Sequence, residues 1–147
     1  MSIDNLAQLK SITQDLGYEV KQYKIEDGYE LDALELDVED HKELIILSQF
    51  ADEGELDGSN FFQFYSEYTF NANEYDRLSL LTKINEVNPN LALGNFAFSV
   101  ERGVIYFKYV WVLDKESKLA EDCIADILDM VEYAITEFRE QFISLEL

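Results

Sequence analysis

The chain has 147 residues, the length of one ordinary domain, and 48% hydrophobic with 14% aromatic content is enough to build a core without disulfides or metal. Eleven Lys and Arg against 31 Asp and Glu leave a formal charge of −20. Such a field repels a nucleic-acid backbone and an anionic membrane surface, so neither is expected as a partner. The charge suits solubility, and it also suits attraction to a basic protein.

Ile3, Leu6, Leu9, Ile12 and Leu16 recur at helical spacing, with Ser2 or Asp4 as a cap and Gly17 as the stop. The period then changes. Tyr18 to Ile25 reads as a strand, followed by the turn Glu26-Asp27-Gly28. Tyr29 to Val38 alternates, and after Glu39-Asp40-His41 a third strand runs from Lys42 to Ala51. The acidic loop Asp52–Gly58 leads into a fourth, Phe61 to Phe70. Four strands with short turns predict an antiparallel meander.

Asn73 is the expected N-cap of a second helix, with Asp76 three residues on. Leu78, Leu81, Ile84 and Val87 are its expected apolar stripe, and Asn88-Pro89 closes it. Strands over Gly94–Val100 and Val104–Leu113 follow, separated by the turn Glu101-Arg102-Gly103. Ile124, Leu128, Val131, Ile135, Phe138, Phe142 and Leu145 are spaced alternately four and three, a heptad seam for a long last helix. It fits either the protein's own sheet or an intermolecular coiled coil. The prediction is one α+β domain over 1–147, an antiparallel-rich sheet flanked by helices in the order α-ββββ-α-ββ-α.

Catalytic templates lack parts. Cys123 is alone, so there is no disulfide framework and no CxxC motif. His41 is the single histidine, too few for a site built on imidazoles. The six glycines form no phosphate-binding or dinucleotide loop. Asp52-Glu53-Gly54-Glu55-Leu56-Asp57-Gly58 comes nearest to a calcium loop, but Leu56 takes a ligand position and Gly58 falls one place late. Asp122, Asp126 and Asp129 share a helical face and read as its solvated side. No enzyme, cofactor or metal is expected. MSIDNLAQLK has no basic segment followed by an apolar run, so no signal peptide is expected and the cytoplasm is the default.

The aromatic residues say more. Ile105, Phe107, Tyr109, Trp111 and Leu113 alternate onto one face of the last strand, and Phe62, Phe64, Tyr68 and Phe70 onto one face of the fourth. Both sets are expected in the core. The opposite face then carries Phe61, Tyr65, Tyr106, Val110 and Val112, too apolar for simple exposure. Either another part of the chain covers it, or a partner or second copy does.

The run Leu80-Leu81-Thr82-Lys83-Ile84-Asn85-Glu86-Val87-Asn88, then Gly94-Asn95-Phe96-Ala97-Phe98-Ser99-Val100, an aliphatic strand and a long C-terminal helix, resembles the YbjN family. These are bacterial proteins labelled as sensory-transduction regulators, with a fold similar to that of type III secretion chaperones. The resemblance spans Leu78 to Leu145, and the first half shares only the order of elements. It implies a helix-flanked antiparallel sheet, often dimeric, that binds another protein, and it supplies no catalytic residues. The expected function is therefore a non-enzymatic protein-binding domain, chaperone-like or a regulatory adaptor, and a homodimer. An acidic inhibitor of a basic protein, of the immunity or antitoxin type, is the alternative. An enzyme with an unrecognised carboxylate site is the third class.

Overall fold

The computed structural model describes residues 5–26, 30–38, 42–50, 60–113 and 119–145. Helix α1 (Asn5–Asp15) buries Leu6 and Leu9 and packs Ile12 and Leu16 behind them. Thr13 is buried too, and its hydroxyl donates back to the Leu9 carbonyl at 2.8 Å. The helix ends at Gly17, whose φ of 99° is open to a residue without Cβ. The Gly17 amide donates to the Gln14 carbonyl at 3.0 Å and the Tyr18 amide to the Thr13 carbonyl at 3.1 Å, which satisfies the last turn.

The strands are β1 (Val20–Glu26), β2 (Glu30–Val38), β3 (Lys42–Phe50), β4 (Asn60–Glu67), β5 (Asn95–Ser99) and β6 (Val104–Leu113). They form one sheet in the order β1-β2-β3-β4-β6-β5, antiparallel at every pairing. With α2 (Arg77–Val87) and α3 (Glu121–Ile143) this is the α+β arrangement expected. The alternation of side chains decides which face is core. Leu34, Leu36, Leu44, Ile46, Phe62, Phe64, Ile105 and Phe107 point toward the helices and are buried. Trp111 is partly buried against the same core.

The heptad seam of α3 packs on this sheet. Ile124, Leu128, Val131, Ile135 and Phe142 are buried, and Ile127 and Ala134 widen the stripe. Aromatic rings lock the helix down: Phe142 lies 5.2 Å from Phe96 and 5.9 Å from Tyr68, centroid to centroid. The Tyr68 hydroxyl donates to the Ile135 carbonyl at 2.6 Å.

Three expectations need correction: the α2 stripe, its N-cap at Asn73, and the end of the fourth strand at Phe70. The apolar stripe of α2 is Leu80, Ile84 and Val87, while Leu78 and Leu81 are exposed. Steps of three drift roughly 60° around a helix each time, so Leu78, Leu81, Ile84 and Val87 cannot share one face. The N-cap is Asp76, whose carboxylate accepts from the Ser79 amide at 3.0 Å. The Ser79 hydroxyl, which donates at 2.8 Å, and then the Ser79 amide hold the Asp76 carboxyl below the usual range. The helix starts later than expected because Ala72–Glu74 forms a 3₁₀ turn capped by Asn71. Likewise β4 stops at Glu67, although Tyr68 and Phe70 continue into the core beyond it.

Candidate protein-binding surface

All the described helices lie on one side of the sheet, so the other side is free of them. Strand alternation places Phe61 and Tyr65 of β4 with Tyr106, Val110 and Val112 of β6 on that outer face. Register brings them together: Phe61 stands opposite Val112, and Tyr65 opposite Lys108 with Tyr106 two residues along. The Tyr65 and Tyr106 rings meet at 5.3 Å. Phe61, Tyr65 and Tyr106 are half-buried, whereas Val110 is 41% and Val112 67% exposed. Ile45 of β3 and Ala97 of β5 extend the apolar area to either side.

One end of the face is polar and organised. Arg102, in the β5–β6 turn, folds back to pair with Glu67. The Tyr65 hydroxyl donates to the Glu67 carboxylate and accepts from Arg102 at 3.3 Å. Burial, then the Glu67 hydrogen bond, pushes the Tyr65 phenol above the usual tyrosine value. This cluster was not legible in the sequence, where Arg102 reads only as a turn residue. Two open hollows mark the face. One, of about 570 Å³, is bounded by Ile45, Tyr65, Glu67 and Arg102; the other, of about 440 Å³, by Ala97, Tyr106, Lys108 and Val110.

Charge is divided between the two sides. On β4, β6 and the β5–β6 turn, Glu67 and Glu101 stand against Lys108 and Arg102. On the helix side, α3 alone holds three Asp and four Glu against Arg139.

A third concavity sits on the helix side, between α3 and the segment that leads into β5. Leu91, Ala92, Leu93, Met130, Tyr133, Ala134 and Phe138 line it with Asp129, around about 260 Å³. The sequence carries a signal for it: Met130 and Tyr133 form a pair one turn apart, off the heptad seam, on an otherwise acidic face.

Asp122, Asp126 and Asp129 are exposed on the far side of α3 from the core, and Cys123 is exposed beside them. Among the described residues no three His, Cys, Asp or Glu stand together as a metal site, and no helix is long and apolar enough to cross a membrane. His41 and the Asp52–Gly58 loop lie outside the described residues. The chain matches no protein-family model and no curated protein.

Proposed function

We propose that this is a non-enzymatic protein-binding domain, chaperone-like or a regulatory adaptor, that works as a homodimer paired through the outer face of its sheet. The observation that carries the reading is the contiguous patch of Phe61, Tyr65, Tyr106, Val110 and Val112, which no described element covers. Burying large apolar side chains contributes roughly 1.5–3 kcal/mol each, so several together offset the entropy of association. The distribution of charge supports a second copy as occupant. Two chains at −20 repel, but meeting at the nearly neutral sheet face turns both acidic helices outward. The likeness to the YbjN family is consistent with this and stays part of the proposal.

Sedimentation across a salt series tests it. Salt screens like-charge repulsion, so the dimer should strengthen as salt rises. A Tyr106→Glu/Val110→Lys variant should stay folded and monomeric. Wild type that sediments as a monomer at every salt concentration sinks the homodimer. A second reading, an acidic inhibitor of a basic protein, draws on the charge of α3 and demands the opposite: partner binding that weakens as salt rises.

A further inference from the structure

We infer that the groove between α3 and residues 91–93 is a docking site for a basic protein segment that inserts one large apolar side chain between flanking Lys or Arg residues. The size of the groove limits its occupant. Small-molecule and cofactor sites usually enclose roughly 300–1,000 Å³, and this hollow, at about 260 Å³, falls below that range. One or two side chains fit it. Its walls are mainly apolar, with Leu91 and Leu93 on one side and Met130, Ala134 and Phe138 on the other, and Asn90 and Asp129 as the polar lining residues. Two of its side chains stand well into solvent in the free protein, Met130 at 46% and Tyr133 at 63% exposed.

Charge sets the rest of the occupant. Asp129 lies in the wall, Asp126 sits one helical turn before Met130, and Glu137 one turn after Tyr133, all on exposed positions of α3. An apolar anchor entering here therefore brings its neighbours within reach of carboxylates at both ends. A cationic segment gains from that arrangement, and from a −20 chain that draws it in over longer distances. A second copy of this acidic chain, or an anionic lipid surface, is repelled at the same place. The groove is separate from the sheet face, so the two sites fail or succeed independently.

The test uses the intact protein and two end-blocked, fluorescently labelled peptides. One carries Trp-Leu between two pairs of lysines, and its twin has Ser-Ser in place of Trp-Leu. The anchored peptide should bind roughly ten- to hundredfold more tightly, the worth of one buried large side chain. A Met130→Ser/Tyr133→Ser variant, altered only at exposed positions, should lose that preference and keep the weak, salt-sensitive binding of the Ser-Ser twin. An Asp126→Asn/Asp129→Asn variant should weaken both peptides and flatten the salt dependence, while sedimentation of both variants matches wild type. Equal affinity for the two peptides overturns the proposal, as does a preference that survives Met130→Ser/Tyr133→Ser. A changed oligomeric state in that variant assigns the groove to self-contact and overturns it equally.

Discussion

Asn88 and Phe96 grip each other at both polar atoms of one residue's backbone. The Asn88 carboxamide accepts from the Phe96 amide at 2.8 Å and donates to the Phe96 carbonyl at 3.0 Å. Phe96 belongs to β5, an edge strand, so these are groups that point away from the sheet. A side chain thus occupies the place of a missing seventh strand, which blunts the edge against pairing with other chains. It also fixes the path of residues 91–93, and with it one wall of the α3 groove.

Removing that grip should be costly. Asn88→Ala loses two hydrogen bonds at a half-buried site and should destabilise the fold by about 1–3 kcal/mol, read as a lower urea midpoint with an unchanged slope. Asn88→Asp keeps the shape but turns a carboxylate toward the Phe96 carbonyl. It should be as damaging at neutral pH and partly rescued in acid, where the protonated group can donate again. If Asn88→Asp is no less stable at pH 7 than at acid pH, relative to wild type, the grip has no energetic weight.

Gly94 and Gly17 both have positive φ, 73° and 99°, yet they should not tolerate alanine equally. A Cβ at Gly17 meets nothing within 4 Å, so Gly17→Ala bears only the backbone strain, about 1–2 kcal/mol. A Cβ at Gly94 would fall 2.4 Å from the Phe107 ring, which is locked in the core. Gly94→Ala should add about 1–3 kcal/mol of overpacking to the same strain. Thermal melts of the two variants give the ranking, and equal losses would show that the Phe107 ring yields freely.

Alkaline pH should loosen the fold from the tyrosines. Burial is the first cause that raises the phenols of Tyr18, Tyr65 and Tyr68 well above the usual tyrosine value; hydrogen bonds to Glu132 and Glu67 add to it at Tyr18 and Tyr65. A folded pKa above the unfolded one means stability that is complete below about pH 10 and falls as pH climbs beyond it. Urea midpoints should hold steady from neutral pH to about pH 9 and then drop. Tyr68→Phe, which removes the bond to the Ile135 carbonyl, should cost about 1 kcal/mol at neutral pH and make the alkaline drop shallower.

Chelators should leave the melting temperature unchanged, and so should Cys123→Ser, because the thiol is exposed. A fall of several degrees in EDTA would instead place a cation at the Asp52–Asp57 loop or on the Asp122–Asp129 row.

What could be read from the residues follows from periodicity. A strand alternates with a period of two and leaves no choice of face once Phe62, Phe64 and Phe107 are assigned to the core, so the outward set Phe61, Tyr65, Tyr106, Val110 and Val112 could be named in advance. The heptad seam of α3 was equally plain. On α2 the expected stripe took Leu81 in steps of three, whereas Leu80, Ile84 and Val87, at i, i+4 and i+7, are the set that shares one face. The α3 groove was hidden for a different reason: its second wall is irregular chain, set by the Asn88 carboxamide rather than by any repeat.

The pairing of β4 with β6 joins parts of the chain that are distant in sequence, whereas β1–β2–β3–β4 and β5–β6 are each built from consecutive strands. The sheet is therefore two locally assembled pieces zipped along one line, from Asn60 opposite Leu113 to Glu67 opposite Tyr106. Closing that line costs the entropy of bringing together residues far apart in the chain, so it should form late in folding and open early in unfolding. The outer patch straddles it, with Phe61 and Tyr65 on one side and Tyr106, Val110 and Val112 on the other. Any molecule seated there rivets the zip. Occupancy would then be read as lifetime: slower hydrogen exchange at the β4 and β6 amides, and slower proteolysis of the bound chain.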